Sequence, residues 1–161
     1  MSNSCVVFAQ ARAIVEEIVY SIATTVGPDG RPRSRVVHPV WLWNNTETTG
    51  LVTARPTPLK RRHLGSHPVM TCGYWSPQHH TAFFDCDCRW LGADELEVAW
   101  HTIAATPPPL GFDPGTIWPD GWRSAEFAVL ELRPYRVQAT RAEDFAAGRS
   151  ASRWSRVAEA V

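Results

Sequence analysis

Lysine is nearly absent from this sequence, which has one lysine, Lys60, beside fifteen arginines. The sixteen basic residues are balanced by sixteen acidic residues, so the formal net charge is zero. Nucleic-acid-binding surfaces usually bring a basic excess, and this balance argues against one. Because an ammonium group binds differently from a guanidinium group, a single lysine in an arginine-rich chain is a candidate site residue.

Long hydrophobic runs are also absent, and no apolar stretch approaches the roughly 20 residues of a membrane-spanning helix. The first residues lack the basic region and apolar core of a signal peptide. Neither glycine-rich phosphate-binding pattern, GxGxxG or GxxxxGK followed by Ser or Thr, occurs. We expect a cytoplasmic protein that binds neither membrane nor nucleic acid and has no Rossmann or P-loop site.

Cysteine is scarce, and its spacing does not match a zinc site. Cys86 and Cys88 would share one face of a strand, but Cys-x-Cys is not the Cys-x2-Cys spacing of zinc-binding motifs. We therefore predict no metal, even with His79 and His80 nearby, and expect buried reduced thiols. The four cysteines are Cys5, Cys72, Cys86 and Cys88.

Length and composition indicate one folded domain over residues 1–161, with 44% hydrophobic residues. Apolar spacing predicts an N-terminal helix over 7–19. The segment 106–122 is rich in proline and glycine and predicts an irregular lid, wall or dimer arm. Turn signals separate six predicted strands, a pattern typical of a mainly β antiparallel barrel with peripheral helices. These strands are 20–26, 31–43, 51–54, 69–75, 81–91 and 127–140, and two further helices are predicted at 58–64 and 92–105.

The segment around Lys60 is a candidate anion site. A strand ending at Ala54 is followed by Thr57, a helix-capping residue type, and by Pro58 at the first helical position. The free N–H groups and dipole of a helix start favour negative charge, and nearby cations add to this. The alternative is a basic helix face that only contacts solvent.

Four segments, in this order, resemble the FMN-binding split barrels related to pyridoxamine 5′-phosphate oxidase. They are the hairpin Ala-Thr-Thr-Val-Gly-Pro-Asp-Gly-Arg-Pro-Arg-Ser-Arg-Val-Val at 23–37, His-Pro-Val-Trp at 38–41, Val-Thr-Ala-Arg-Pro-Thr-Pro-Leu-Lys at 52–60, and Leu-Arg-Pro at 132–134. The resemblance covers residues 14–140. It implies a six-stranded antiparallel split β-barrel, a flavin-dependent oxidoreductase activity, and a homodimer with FMN at the subunit interface.

The resemblance also assigns residues to the cofactor. Arg35 would face the FMN phosphate, and Lys60 would bind it. His38 is either a donor to the ring or the substrate, or a hydrogen-bonded histidine at the end of the barrel. Trp75, Gln78, Trp122 and Trp154 are candidates for the second chain's contribution. The full cofactor set is Arg35, Val36, Val37, His38, Thr53, Ala54, Arg55, Pro58, Leu59 and Lys60, with Trp75 and Gln78.

One departure concerns the substrate. The oxidase has an Arg-x-His substrate-phosphate site in its C-terminal segment, and the tail 149–156 of this chain contains no histidine. Oxidation of pyridoxamine phosphate is therefore not expected, and the small organic substrate and catalytic residues stay unassigned. The alternatives are an F420-dependent reductase of the same fold, with Arg55, Arg61 and Arg62 lining a groove for its charged tail, and a non-catalytic flavin- or haem-binding protein.

Overall fold

The computed structural model describes residues 3–44 and 47–156. The predicted domain spans 1–161, so residues 1–2, 45–46 and 157–161 of it lie outside the described residues. Within that part the elements are α1 (Asn3–Ile18), β1 (Ser21–Val26), β2 (Pro32–Val37), β3 (Pro39–Trp43), β4 (Thr48–Ala54), α2 (Pro58–Ser66), β5 (Val69–Trp75), β6 (Thr81–Trp90), α3 (Leu96–Ala105), a 3-10 turn (Pro114–Thr116), β7 (Ala128–Thr140), α4 (Ala142–Ala146) and β8 (Ser152–Ser155).

The strands form one antiparallel sheet in the order β2-β1-β5-β6-β7-β4-β3, with β8 paired to β7. Strands β2 and β3 lie at opposite ends of this order, although His38 alone separates them in the chain. The sheet must therefore curl until its two edges converge. This curled sheet, with helices outside it, confirms the predicted split β-barrel.

The described ranges contain eight strands, whereas the sequence predicted six. The predicted strand 31–43 divides because β2 pairs with β1 while β3 pairs with β4. Pro39 has no N–H to donate to the ladder, and it is the first residue of β3, a position where proline is tolerated in a sheet. The tail adds β8, which was not predicted. Pro134 does not end β7, because a register shift after Asp85 accommodates it.

Three helices differ from their predicted bounds. Helix α1 begins at Asn3, α2 continues to Ser66, and α3 begins at Leu96 rather than at 92. Residues 93–95 form a turn instead, in which the Gly92 N–H donates to the Glu95 carboxylate at 2.8 Å. Among the described residues, no helix combines the length and the apolar character that crossing a membrane requires.

The core has two parts. In the first, α1 covers the barrel interior, where Trp41 stacks on Phe84 at 4.3 Å and donates from Nε1 to the Tyr74 hydroxyl at 2.8 Å. In the second, α3 and the irregular segment pack against β4 and β7 through Trp100 and Trp118. The expectation of buried thiols is confirmed for Cys72, Cys86 and Cys88, which carry no disulfide.

Candidate functional site

A cavity of about 440 Å³ opens where β2 and β3 diverge. It is bordered by residues of β1, β2, β4, β5, β7, α2 and the irregular segment 106–122. Seven residues of the predicted cofactor set line it. They are Arg35, Val36, Val37, His38, Thr53, Ala54 and Lys60.

The other five members of that set do not line this cavity. Pro58 and Leu59 form the start of α2, and the Arg55 guanidinium forms an ion pair with Glu126 at 3.3 Å. Trp75 ends β5, and Gln78 lies in the β5–β6 turn, both exposed. A contribution of these two residues to a second chain's site stays a prediction.

Arg35 extends from β2 into the cavity. Its Nη1 donates to the Thr25 hydroxyl at 2.9 Å. None of the described residues that line the cavity is an aspartate or a glutamate. Burial lowers the pKa of Arg35, and repulsion from Arg33 adds to this effect. The guanidinium group is therefore held in an environment that disfavours its charge.

Lys60 is placed by the start of α2. Its backbone N–H donates to the capping Thr57 hydroxyl at 3.4 Å, and its Nζ donates to the Arg55 carbonyl at 3.3 Å. Burial lowers the pKa of Lys60, and the charge of Arg35 lowers it further. Neither Lys60 nor Arg35 forms an ion pair with any residue in 3–44 or 47–156. Two cations thus share one cavity, and no described residue supplies a neutralising carboxylate.

His38 is held at the end of the barrel. Its Nε2 must donate to the Leu110 carbonyl, 2.8 Å away, because a carbonyl only accepts. Its ring lies 5.1 Å from Tyr20 and 4.9 Å from Phe112. Burial lowers the pKa of His38, although the bond to Leu110 acts in the opposite direction. This geometry favours the hydrogen-bonded barrel-end role, since the Nε2 proton is already committed.

The irregular segment forms a wall of the cavity through Ile117 and Trp118. Trp118 is 5% exposed, its Nε1 donates to the Glu126 carbonyl at 3.0 Å, and its ring packs against Phe127. Of the three predicted roles, lid, wall or dimer arm, the wall therefore fits these contacts. Two of the candidate tryptophans pack within their own chain, Trp122 against Trp100 and Trp154 against Phe8.

Sequence reasoning missed part of the lining. The β1 alternation could have indicated an inward-facing Thr25, but nothing local pairs it with Arg35 ten positions later. The wall residues lie in an irregular segment that has no periodicity to interpret. The missed residues are Tyr20, Thr25, Val52, Leu64, Met70, Ile117, Trp118 and Leu130.

No family model and no curated protein sequence matches the chain. Solved structures do. A Clostridium acetobutylicum protein related to general stress protein 26, of the pyridoxinephosphate oxidase family, matches with a TM-score of 0.71 and 10% identity over 96% of each chain. A pyridoxamine 5′-phosphate oxidase-related, FMN-binding protein from Nostoc punctiforme matches with a TM-score of 0.60 and 14% identity over 93% of this chain and 92% of its own.

The names of two other similar structures mention cofactors other than FMN. A heme-binding protein from Mycobacterium smegmatis matches with a TM-score of 0.61 and 17% identity, over 91% of this chain and 61% of its own. An F420 reductase matches with a TM-score of 0.54 and 16% identity, over 78% of this chain and 94% of its own. At these identities the likeness concerns the fold. The chain is a split β-barrel with the fold of the pyridoxamine 5′-phosphate oxidase-like proteins.

Proposed function

We propose that this cavity binds FMN and that the protein is an FMN-dependent oxidoreductase acting on a small organic substrate. The observation that carries the proposal is a pair of partly buried cations, Arg35 and Lys60, which have no carboxylate partner among the described residues. Buried charge is unfavourable unless it is compensated, and a phosphate monoester supplies the missing negative charge. The N-terminus of α2 adds to the attraction.

The rest of the cavity suits a flavin ring. Val52, Leu130 and Trp118 give it apolar walls, and about 440 Å³ lies within the usual range for small-molecule sites. A bound flavin would supply the electron transfer. The chain would anchor the phosphate through Arg35 and Lys60, orient the ring, and exclude water through the fixed Trp118 wall.

The alternative cofactors have weaker support in the same residues. Of the arginines that could hold an F420 tail, Arg55 is paired with Glu126 and Arg61 stacks over the Trp90 ring at 5.2 Å. Haem iron is commonly held by histidine. His38 is the only histidine among the described cavity-lining residues, and its Nε2 is bonded to Leu110.

The proposal includes a homodimer. The large apolar side chains Ile22, Trp75 and Phe83 are exposed together on the outer face of β1, β5 and β6. Exposed apolar patches of this kind mark interaction sites. Tyr20 lines both this face and the cavity, so a second copy seated here would lie beside the cofactor. Three buried thiols without disulfides fit the proposed cytoplasmic location.

The test is an absorbance spectrum of the purified protein, followed by titration with FMN, riboflavin, F420 and haem. We expect FMN to be retained through gel filtration and to bind at least about tenfold more tightly than riboflavin, because only FMN carries the phosphate. Equal affinity for FMN and riboflavin would contradict the phosphate site. Preferential uptake of F420 or haem would replace FMN as the cofactor.

The dimer has a separate test. Phe83→Asp places a charge on the apolar face and should convert a gel-filtration dimer into a monomer that binds FMN more weakly. The matched control is Phe145→Asp, because Phe145 is also exposed but lies on α4, outside this face. A wild-type protein that elutes as a monomer would contradict this part of the proposal.

A further inference from the structure

Two buried polar side chains, Thr25 and His63, are linked to the Arg35 guanidinium by hydrogen bonds. Thr25 on β1 is 1% exposed, and His63 on α2 is 7% exposed. The Thr25 hydroxyl lies 3.2 Å from His63 Nδ1 and accepts from Arg35 Nη1 at 2.9 Å. Three separate elements, β1, β2 and α2, therefore meet at one hydroxyl group. The sequence predicted no role for Thr25, and it identified His63 only as one of the basic residues carried by the predicted helix 58–64.

The direction of these hydrogen bonds follows from the groups involved. A guanidinium group can only donate, so the Thr25 oxygen accepts from Arg35. If His63 Nδ1 also donated to that oxygen, the Thr25 proton would be left without either partner on a fully buried side chain. The satisfied arrangement has Thr25 donate to Nδ1, which places the imidazole proton on Nε2.

The hairpin turn leaves room for this imidazole. A Cβ added to Gly27 would lie 3.2 Å from His63 Nε2 and 2.8 Å from an Asp29 carboxylate oxygen. Glycine at position 27 therefore lets the ring lie directly against the turn between β1 and β2. The imidazole is thereby fixed by packing as well as by its hydrogen bond.

We propose that Thr25 and His63 are positioning residues, which hold the Arg35 guanidinium in the orientation that binds the cofactor phosphate. The inference rests on the proposed FMN site. Hydrogen bonds that run in one direction polarise one another, so the chain from Arg35 through Thr25 to His63 is stronger than its separate bonds. An arginine already held in its binding orientation loses less entropy when a ligand binds.

The experiment compares FMN with riboflavin, which lacks the phosphate. Thr25→Val should weaken FMN binding roughly tenfold, the effect of one lost hydrogen bond to a charged group, and leave riboflavin affinity within about twofold. Thr25→Ser, which keeps the hydroxyl, should restore FMN affinity. At the other end, His63→Leu should reproduce the loss, and His63→Asn, which offers a carbonyl oxygen near the Nδ1 position, should recover it.

Two further readouts separate positioning from general stability. In an Arg35→Ala background, Thr25→Val should cause no additional loss, because the residues act as one unit. Nitrogen-15 spectra of the ligand-free wild type at about pH 8 should show His63 protonated at Nε2 and unprotonated at Nδ1. A variant that weakens FMN and riboflavin equally would reduce the role of Thr25 to packing and overturn the inference.

The outcomes also separate this inference from the proposed function. If the wild type binds no FMN, the proposed function fails. The His63 tautomer alone then decides whether the hydrogen-bond chain from Arg35 through Thr25 to His63 exists. If the wild type binds FMN and both Thr25→Val and His63→Leu bind it equally well, the function stands and the positioning role fails. If Thr25→Val does not fold, the FMN and riboflavin affinities of His63→Leu and His63→Asn test the positioning role instead.

Discussion

Two arginines of the same sheet, Arg89 and Arg35, differ in their hydrogen-bond partners and in the direction of their pKa shifts. Arg89, near the end of β6, bonds to both carboxylate oxygens of Glu95 at 2.8 Å and of Glu131 at 3.0 Å. Those hydrogen bonds, first with Glu95 and then with Glu131, raise the pKa of Arg89. The Arg35 side chain is more buried than that of Arg89, yet its one hydrogen-bond partner among the described residues is the neutral Thr25 hydroxyl, and burial lowers its pKa.

The contrast is informative because it is the opposite of what desolvation alone would favour. A buried cation needs a counter-charge more than an exposed one does. Arg89 has two carboxylate partners at the surface, whereas the described residues provide none for Arg35 and Lys60 in the cavity. Groups held with perturbed pKa values in a cleft are candidates for function, whereas the Arg89 cluster is accounted for by its own partners.

The largest expected effect is on the cavity pair. Lys60→Ala should weaken FMN binding by roughly 1.5–3 kcal/mol, about 10- to 150-fold, because a charge-assisted contact is lost. The variant should remain folded and elute from gel filtration as the wild type does, since alanine is a good helix former. Fluorescence titration with FMN measures the change. Arg89→Ala is the control and should bind FMN as the wild type does, while unchanged affinity in Lys60→Ala would refute the anion site.

A second pair of variants, Arg35→Met and Arg89→Ala, should change thermal stability in opposite directions. Arg35→Met should raise the thermal stability of the ligand-free protein by roughly 0.5 kcal/mol, because it removes a partly buried charge that has no counter-ion among the described residues. It should at the same time lose FMN affinity. Arg89→Ala should lower the melting temperature instead, and salt should shrink that effect by screening the exposed pairs. A melting temperature of Arg35→Met clearly below wild type would remove the contrast.

The smallest effect concerns the third basic group of the cavity. Burial depresses the pKa of His38 below its usual 6.5, so the unfolded chain takes up the proton first as pH falls. The stability associated with neutral His38 is therefore complete above about pH 6.5 and declines below it. His38→Gln keeps a donor for the Leu110 carbonyl and should flatten this decline. Melting temperatures at about pH 7.5 and 5.5 measure how far stability declines in the wild type and in His38→Gln. An equal decline in both proteins would contradict the prediction.

The sequence was most informative where the chemistry is local. Thr57 caps α2 and Pro58 begins it, as predicted, because both effects depend on neighbouring residues. The contacts of Thr25 with His63 could not be predicted, since 38 positions separate them and only the folded sheet brings them together. The same holds for Trp118, which reaches the cavity from a segment without periodicity.

Strand β8 shows a different limit. Ser152–Ser155 is short and polar, and it becomes a strand only because β7 offers it an unpaired edge at 136–139. Strand 31–43 was predicted as one element, because the pattern of side chains continues through His38. What divides it is a change of partner, from β1 to β4. Pro39 marks an interruption of the ladder at this point, but no local signal names the new partner.

The divergence of β2 and β3 also affects how the protein meets other chains. Both are the outer strands of the sheet order, so each has one row of backbone groups that could template the addition of a foreign strand. Each begins with a proline, each is short, at six and five residues, and β2 carries Arg33 and Arg35. These are the features by which exposed strands resist edge-to-edge aggregation. The split that opens the cavity is thus compatible with long-term colloidal stability.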